Sequence, residues 1–278
     1  MPLRGRPDGT PVPDVHPLRR IMPFIMPTRT ECFVLFEQQI ALAPAREALT
    51  HLNDGTPPAR AVTLFHLVLF GIGRVLHDFP RLNRFVMGSR LWARRGIWLS
   101  FSGKKRLDAE APLFTAKLEW RPAEPIRGFV DRIHAALREN RSDRPTATER
   151  EVRGFLHVPA PLLRIGTHLI RRLDALNLLP PSFVLGDPLY ASAFVANLGS
   201  VGLDAAFHHN YEYGTIPIFV TVGRTHRAVV VHDDGTVGTR EVMVLRYTYD
   251  ERVEDGFYAA RALEQLKAYL EAPASLVG

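Results

Sequence analysis

Cysteine is all but missing from this chain: Cys32 is the single one in 278 residues. An internal disulfide and a cysteine-based metal site are therefore excluded. A lone thiol fits a reducing compartment, and a cytoplasmic location is the expectation. Cys32 lies in the apolar run Cys32-Phe33-Val34-Leu35-Phe36, where a buried structural thiol is expected rather than a nucleophile. Long hydrophobic runs are missing as well. The longest, Ala61 to Gly73, is interrupted by His66 and falls short of the roughly 20 residues that cross a bilayer. Residues 1–17 are rich in Pro, Gly and Arg and lack the apolar core of a signal sequence. The expectation is a soluble chain with no membrane partner and a flexible N-terminal arm over residues 1–18.

Several chemistries lack their residues. There is no H-E-x-x-H, and the histidines are mostly dispersed, so no metal is expected. There is no G-x-S-x-G, which disfavours an α/β-hydrolase. Gly71-Ile72-Gly73 sits inside an apolar helical stretch without the strand and turn of a dinucleotide fingerprint; close helix packing is its expected role. Lysine is scarce. Arginine supplies most of the net charge of +6, but its residues are scattered among acidic ones. No basic face or stacking platform emerges, and no nucleic-acid partner is expected.

What is present describes a globular α/β chain with enough apolar residues, 46%, to bury a sizeable core. Strands are expected at residues 31–40, 97–102, 112–120, 192–197, 216–223, 228–232 and 239–247, from β-branched and aromatic content. Asp233-Asp234-Gly235 reads as a hairpin turn. Helical spacing marks residues 59–78, 126–139, 161–176 and 256–271. The third of these carries Arg164, Arg171 and Arg172; its apolar face is expected to pack on the core, the alternative being contact with a membrane surface or a partner. Residues 141–153 read as a polar linker. Ser102-Gly103-Lys104-Lys105 reads as a basic, exposed turn between strands.

Four motifs stand in order along this frame. The first is Asp78-Phe79-Pro80-Arg81-Leu82-Asn83-Arg84-Phe85 at a helix end. The second is Phe194-Val195-Ala196-Asn197-Leu198-Gly199-Ser200-Val201-Gly202. The third is the strand Pro217-Ile218-Phe219-Val220-Thr221-Val222-Gly223-Arg224. The last is Asp250-Glu251-Arg252-Val253-Glu254-Asp255-Gly256, between a strand and a helix. Together they resemble the catalytic-domain family of the 2-oxoacid dehydrogenase acyltransferases (E2), whose fold chloramphenicol acetyltransferase shares. The resemblance implies a two-layer α/β sandwich over residues 19–278, a mixed sheet with flanking helices. It also implies a homotrimer whose sites lie between subunits, acting on a small-molecule acyl donor and acceptor. The donor would be a coenzyme A or lipoyl-type thioester, with no covalently bound cofactor. No lipoyl or subunit-binding segment is seen ahead of the core, so the acceptor is expected to arrive in trans.

Two departures bear on the chemistry. The family's general-base histidine falls at Glu251. The serine or threonine whose hydroxyl stabilises the oxyanion falls at Ala196. Acyl transfer needs a base for the acceptor's proton and donors aimed at the developing oxyanion. A glutamate, with a reference pKa of about 4.3, is the weaker base unless burial raises it, and alanine donates nothing. Asn197 and backbone N–H groups are the remaining donors near Gly199. His208 and His209 are the alternative source of a base; as neighbours on an extended segment they point apart, which does not suit one metal. Arg252 and Asp255 are kept. The resemblance implies that Asp255 forms a structural salt bridge with Arg19 or Arg20 that braces the turn. Two readings stand: an acyltransferase with Glu251 in the base position, or a catalytically degenerate trimer used for binding or scaffolding. Binding of an anionic polymer through the N-terminal arm is a third.

Overall fold

The computed structural model describes residues 5–104, 113–141, 158–231 and 234–277. A six-stranded mixed sheet runs through it in the order β2-β9-β8-β7-β5-β6. Its strands are β2 (Phe33–Ala41), β5 (Ile97–Lys104), β6 (Leu113–Trp120), β7 (Ala193–Asn197), β8 (Ile218–Val231) and β9 (Val237–Asp250). β7 is parallel to both β5 and β8; the other pairs are antiparallel. A second sheet of three short strands, β1 (Gly9–Pro11), β4 (Arg90–Arg94) and β3 (Arg84–Met87), lies beside it.

Three helices cover one face of the large sheet: α3 (Leu64–Asp78), α4 (Ile126–Arg141) and α7 (Gly256–Glu271). Shorter helices are α1 (Pro17–Ile25), α2 (Ala43–Leu52), α6 (Pro181–Gly186) and α8 (Ala274–Val277), with α5 (Ala160–Ala175) preceding α6. Helix α3 is apolar nearly all round and ten of its fifteen residues are buried, as a central helix must be. Its start is fixed by a reciprocal cap: the Thr63 hydroxyl accepts from His66 N–H while the Thr63 N–H donates to His66 Nδ1. The helix therefore begins at Leu64, not residue 59, and Pro58–Arg60 forms a separate 3-10 turn. Residues 58–78 are apolar enough in length and composition to cross a membrane, yet most of them are buried within the fold, which marks a core helix. Gly73 faces Trp120 so closely that a Cβ would stand 2.3 Å from the indole. Close packing is thus the role of this glycine.

The core proper lies between the helices and the sheet, and includes Leu69, Phe129, Ile133, Leu99, Val195, Val220 and Leu245. Across the sheet is a smaller cluster of Ala191, Phe194, Ile216 and Phe219. Strand alternation explains the division: Val195 and Val220 point one way, Phe194 and Phe219 the other.

Several expectations are corrected. Residues 5–18 are not a flexible arm: Gly9–Pro11 pair with Trp92–Arg94, and Arg6 and Asp8 are buried. A buried counter-ion network holds them, with Arg6 paired to Asp8 and Asp174. The two strands expected at 216–223 and 228–232 are one, β8, with a bulge between Val222 and Thr225. Ser102 to Lys104 continue β5 rather than turning; Lys105, the linker at 142–153 and Asp233 lie outside the described residues. The apolar face of α5 does not pack on the core: Leu162, Ile165, Leu169 and Leu176 are exposed.

Candidate functional site

The turn after β9 is built by its flanks. The Glu251 N–H donates to the Cys32 carbonyl, and the Arg19 guanidinium donates to the Glu251 carbonyl oxygen. On one side Asp250 holds Arg252 through two bonds, 2.8 and 2.7 Å, and accepts a third from the Arg252 N–H. All three lie inside the protein, and the Cys32 thiol also donates to Asp250 at 3.1 Å. Burial and the Asp250 charge push this thiol far above its ordinary range, so Cys32 is the structural thiol the sequence suggests. On the other side buried Glu254 pairs with Arg81 and Arg84. Between these fixed points the Glu251 carboxylate is half-buried and makes no hydrogen bond or ion pair among the described residues.

The expected Asp255 salt bridge is not formed. Asp255 is the N-cap of α7, its Oδ1 accepting the Tyr258 N–H at 2.9 Å. That bond, with Arg19 nearby as a lesser influence, lowers the Asp255 pKa. Arg19 braces the turn through the Glu251 carbonyl instead, and Arg20 is exposed. Capping competes for the carboxylate because Asp255 directly precedes the helix, where unbonded N–H groups converge.

The second half of the site is the end of β7. Ala196 packs against the aromatic cluster on the open face of the sheet. Asn197 closes the strand: its Oδ1 accepts from Ser200 N–H at 3.1 Å, and its carbonyl accepts from the Ser200 hydroxyl. The Asn197 side-chain NH2 makes no hydrogen bond among the described residues and is left as a donor. Gly199 is required by the close approach of β8, since a Cβ there would stand 2.6 Å from the Gly223 carbonyl oxygen.

A strap crosses the same open face. Thr221 donates to the Ala206 carbonyl and Asn210 to the Pro217 carbonyl, so residues 206–210 run back along β8. Phe207 lies under the Arg246 guanidinium, 4.6 Å away. His208 stacks on Phe219 at 3.9 Å. Its Nδ1 lies 2.7 Å from the His209 carbonyl oxygen. A carbonyl only accepts, so Nδ1 carries the proton and Nε2 keeps its lone pair. Burial lowers the His208 pKa, favouring this neutral form. The two rings do not point apart: His208 and His209 stack at 4.8 Å. Among the described residues no group of His, Cys, Asp or Glu could hold a metal.

The structure brings His208 to the face that holds Ala196, but it keeps Glu251 away from both Ala196 and Asn197. Ala196 is level with Thr221 on β8, and Tyr249 is level with Ile218. Glu251 lies two residues further on. At ~3.3 Å per residue that is roughly 16 Å along the strands, and two strand spacings add about 10 Å across. The base position and the oxyanion position of one chain cannot act on the same atom.

The fold is that of the 2-oxoacid dehydrogenase acyltransferase cores. Residues 191–278 match the family model of the 2-oxoacid dehydrogenases acyltransferase (catalytic domain). A dihydrolipoamide acetyltransferase from Azotobacter vinelandii superposes with a TM-score of 0.62 at 15% identity, covering 97% of this chain and 100% of that one. A probable dihydrolipoamide acetyltransferase from Listeria monocytogenes gives 0.61 at 14% identity, covering 94% of each chain. Chloramphenicol acetyltransferase gives 0.53 at 10% identity, covering 94% of this chain and 99% of that one. No curated protein matches the sequence. The acyltransferase resemblance and the two-layer fold with its mixed sheet and flanking helices are both borne out. The matched region, 191–278, contains both halves of the site, from Ala196 to Asp255.

Sequence reasoning missed three residues that shape this site. Asp250 and Cys32 meet only through the β2–β9 pairing, and Glu254 reaches Arg81 and Arg84 across a gap of about 170 residues. The spacing of polar residues within Asp250-Glu251-Arg252-Val253-Glu254 gives one signal. Three acids and an arginine at the end of a buried strand need partners inside.

Proposed function

We propose that the protein transfers an acyl group from a thioester, of coenzyme A or a lipoyl-type carrier, to a small-molecule acceptor at a site assembled between copies of the chain. Glu251 of one copy is the base and faces the Ala196–Asn197 strand end of the next. One observation carries this reading: the Glu251 backbone is held at both its N–H and its carbonyl, while its carboxylate has no partner among the described residues. A side chain fixed at its root and free at its head is placed for proton transfer. The second half-site would supply the Asn197 amide and backbone N–H groups in place of the hydroxyl that Ala196 lacks. The separation within one chain supports a shared site, and one solved relative is the cubic core of the pyruvate dehydrogenase multienzyme complex. A homotrimer is the smallest assembly that the family resemblance implies.

The second reading, a binding or scaffold trimer without turnover, is favoured by Ala196 itself. The hydroxyl donor is gone, and removing one oxyanion donor typically costs about 10²–10³ in kcat. Release of free thiol from a panel of acyl-CoA and acyl-dihydrolipoamide donors separates the two. Turnover that Glu251→Gln abolishes supports the enzyme. Thioester binding without turnover supports the scaffold, and turnover that survives Glu251→Gln overturns the base.

A further inference from the structure

Helix α5 stands out from the body of the protein. Its C-terminal end is fixed: buried Asp174 accepts from Arg6 at 2.7 Å and from the Tyr190 hydroxyl at 2.8 Å. Most of its remaining surface is exposed. Leu162, Ile165, Leu169 and Leu176 are 56%, 64%, 56% and 63% exposed. At 100° per residue these four fall within about 60° of one another, so they form one stripe along the helix. Arg172 and His168 border the stripe on one side, and Arg164 and Arg171 lie further round the helix, all exposed; Arg171 also pairs with Glu212 at 3.8 Å. The helix has a single acidic residue, Asp174, which faces inward.

An apolar stripe this open is unfavourable in water unless something covers it. The expectation of no membrane partner concerned a spanning segment; for this helix it was core packing that was expected, and the face does not pack there. A second copy meeting it about a twofold axis would set arginine against arginine, with no acid on the helix to offset them. A different patch of a neighbouring copy in a trimer is the competing cover, and the assembly state of the variants separates it from lipid. An anionic lipid surface matches both parts. Leucine and isoleucine enter the acyl boundary, and the arginines reach the headgroups with their stems lying along apolar surface. We propose that α5 docks the protein on anionic bilayers, as a peripheral contact lying in the interface plane.

The test is co-sedimentation of the full chain with vesicles at physiological ionic strength. One set is phosphatidylcholine alone; the other contains about 30% phosphatidylserine, an anionic surface of the kind that attracts basic segments. The expected result is sedimentation with the anionic vesicles only. Arg164→Glu with Arg172→Glu should lower the partition coefficient by at least about tenfold, since each basic residue near such a surface contributes about fivefold. Arg164→Lys with Arg172→Lys should retain binding, because charge rather than guanidinium geometry is what counts here. Ile165→Asp with Leu169→Asp should abolish binding. All these positions are exposed, so thermal melts of the variants should match the parent and exclude misfolding. Three results overturn the proposal: no sedimentation with anionic vesicles, sedimentation unchanged in the Asp variant, or a smaller assembly for that variant by light scattering. The last would show that another copy covers the stripe.

Discussion

Arg19 and Glu251 meet through the main chain, the arginine Nη1 donating to the glutamate carbonyl across 232 positions of sequence. The glutamate side chain takes no part in this contact. The same turn leaves Asp255 to cap α7. Brace and cap are therefore separate devices, and their loss should have separate signatures. Asp255→Ala removes one capping bond and should cost ~1 kcal/mol, the usual scale of an N-cap. Asp255→Asn should recover most of that. The sign with pH follows from the lowered pKa: the carboxylate's contribution is complete above the ordinary range and is lost as pH falls through its depressed value. Arg19→Ala should leave the melting temperature nearly unchanged but loosen the Glu251 turn, read as faster hydrogen exchange at Glu251 and Arg252.

Much of the fold was legible in the sequence, and the parts that were not share a cause. The long periodic elements α3, α4 and α7 and the strand-rich last third follow from 3.6- and 2-residue patterning. The strands β1, β3 and β4 escaped because they are three to five residues long and carry arginine and proline. Their order comes from pairing and from the Arg6–Asp8–Arg94–Asp174 network, which no local pattern encodes. Of the site, the motif order located Glu251, Ala196, Asn197 and Gly199. It could not show that Asp255 would cap rather than pair, because both roles are open to an aspartate preceding a helix. Nor could it show His208 stacked on Phe219, since that contact depends on a strap crossing the sheet.

Asp250 should prove far more sensitive than Asp255. It is the counter-ion of buried Arg252, and Arg29, also buried, is close enough to feel its charge. Asp250→Asn keeps the shape and removes the charge. Breaking a buried pair from one side typically costs about 3–5 kcal/mol, because the other charge stays behind. At about 2–4 °C per kcal/mol for a chain of this size, the melting temperature should fall by roughly 10 °C. A fall no larger than that of Asp255→Ala would mean that water or movement of Arg252 relieves the charge.

His66 gives the fold an acid limb. It is buried under the start of α3, and desolvation, with His134 adding to it, lowers its pKa to about 4. Its Nδ1 must stay unprotonated to accept the Thr63 N–H. An unfolded chain binds a proton near pH 6.5. Between pH 6.5 and about 4 the unfolded state therefore holds the extra proton, and stability falls as pH falls. Denaturant titrations across that window should show the loss, on the order of a few kcal/mol in all. His66→Gln keeps an acceptor for the cap and does not titrate, so it should flatten the slope while lowering stability at pH 8. An unchanged slope would place the acid sensitivity elsewhere.

The choice between Glu251 and His208 can be made by kinetics and assembly together. If the site is shared, the working unit is an oligomer, and sedimentation at micromolar concentration should show a trimer. A clean monomer would remove the shared site. With a trimer in hand, Glu251→Gln keeps size and hydrogen bonding but cannot take a proton, so a Glu251 base predicts a loss of about 10²–10⁴ in kcat, the usual contribution of a general base. His208→Gln should then cost little beyond packing on Phe219. A His208 base predicts the opposite pair of results. It also predicts a rate that rises with pH through a midpoint below 6.5 and is flat at neutrality, because burial lowers the His208 pKa and the neutral ring is the active form. If both variants keep full thioester affinity and the parent shows no turnover, the scaffold reading stands. Glu251→His combined with Ala196→Ser is then the decisive variant: weak activity in it would show that the turn, the strap and the inter-copy geometry survive, and that only the two functional groups are missing.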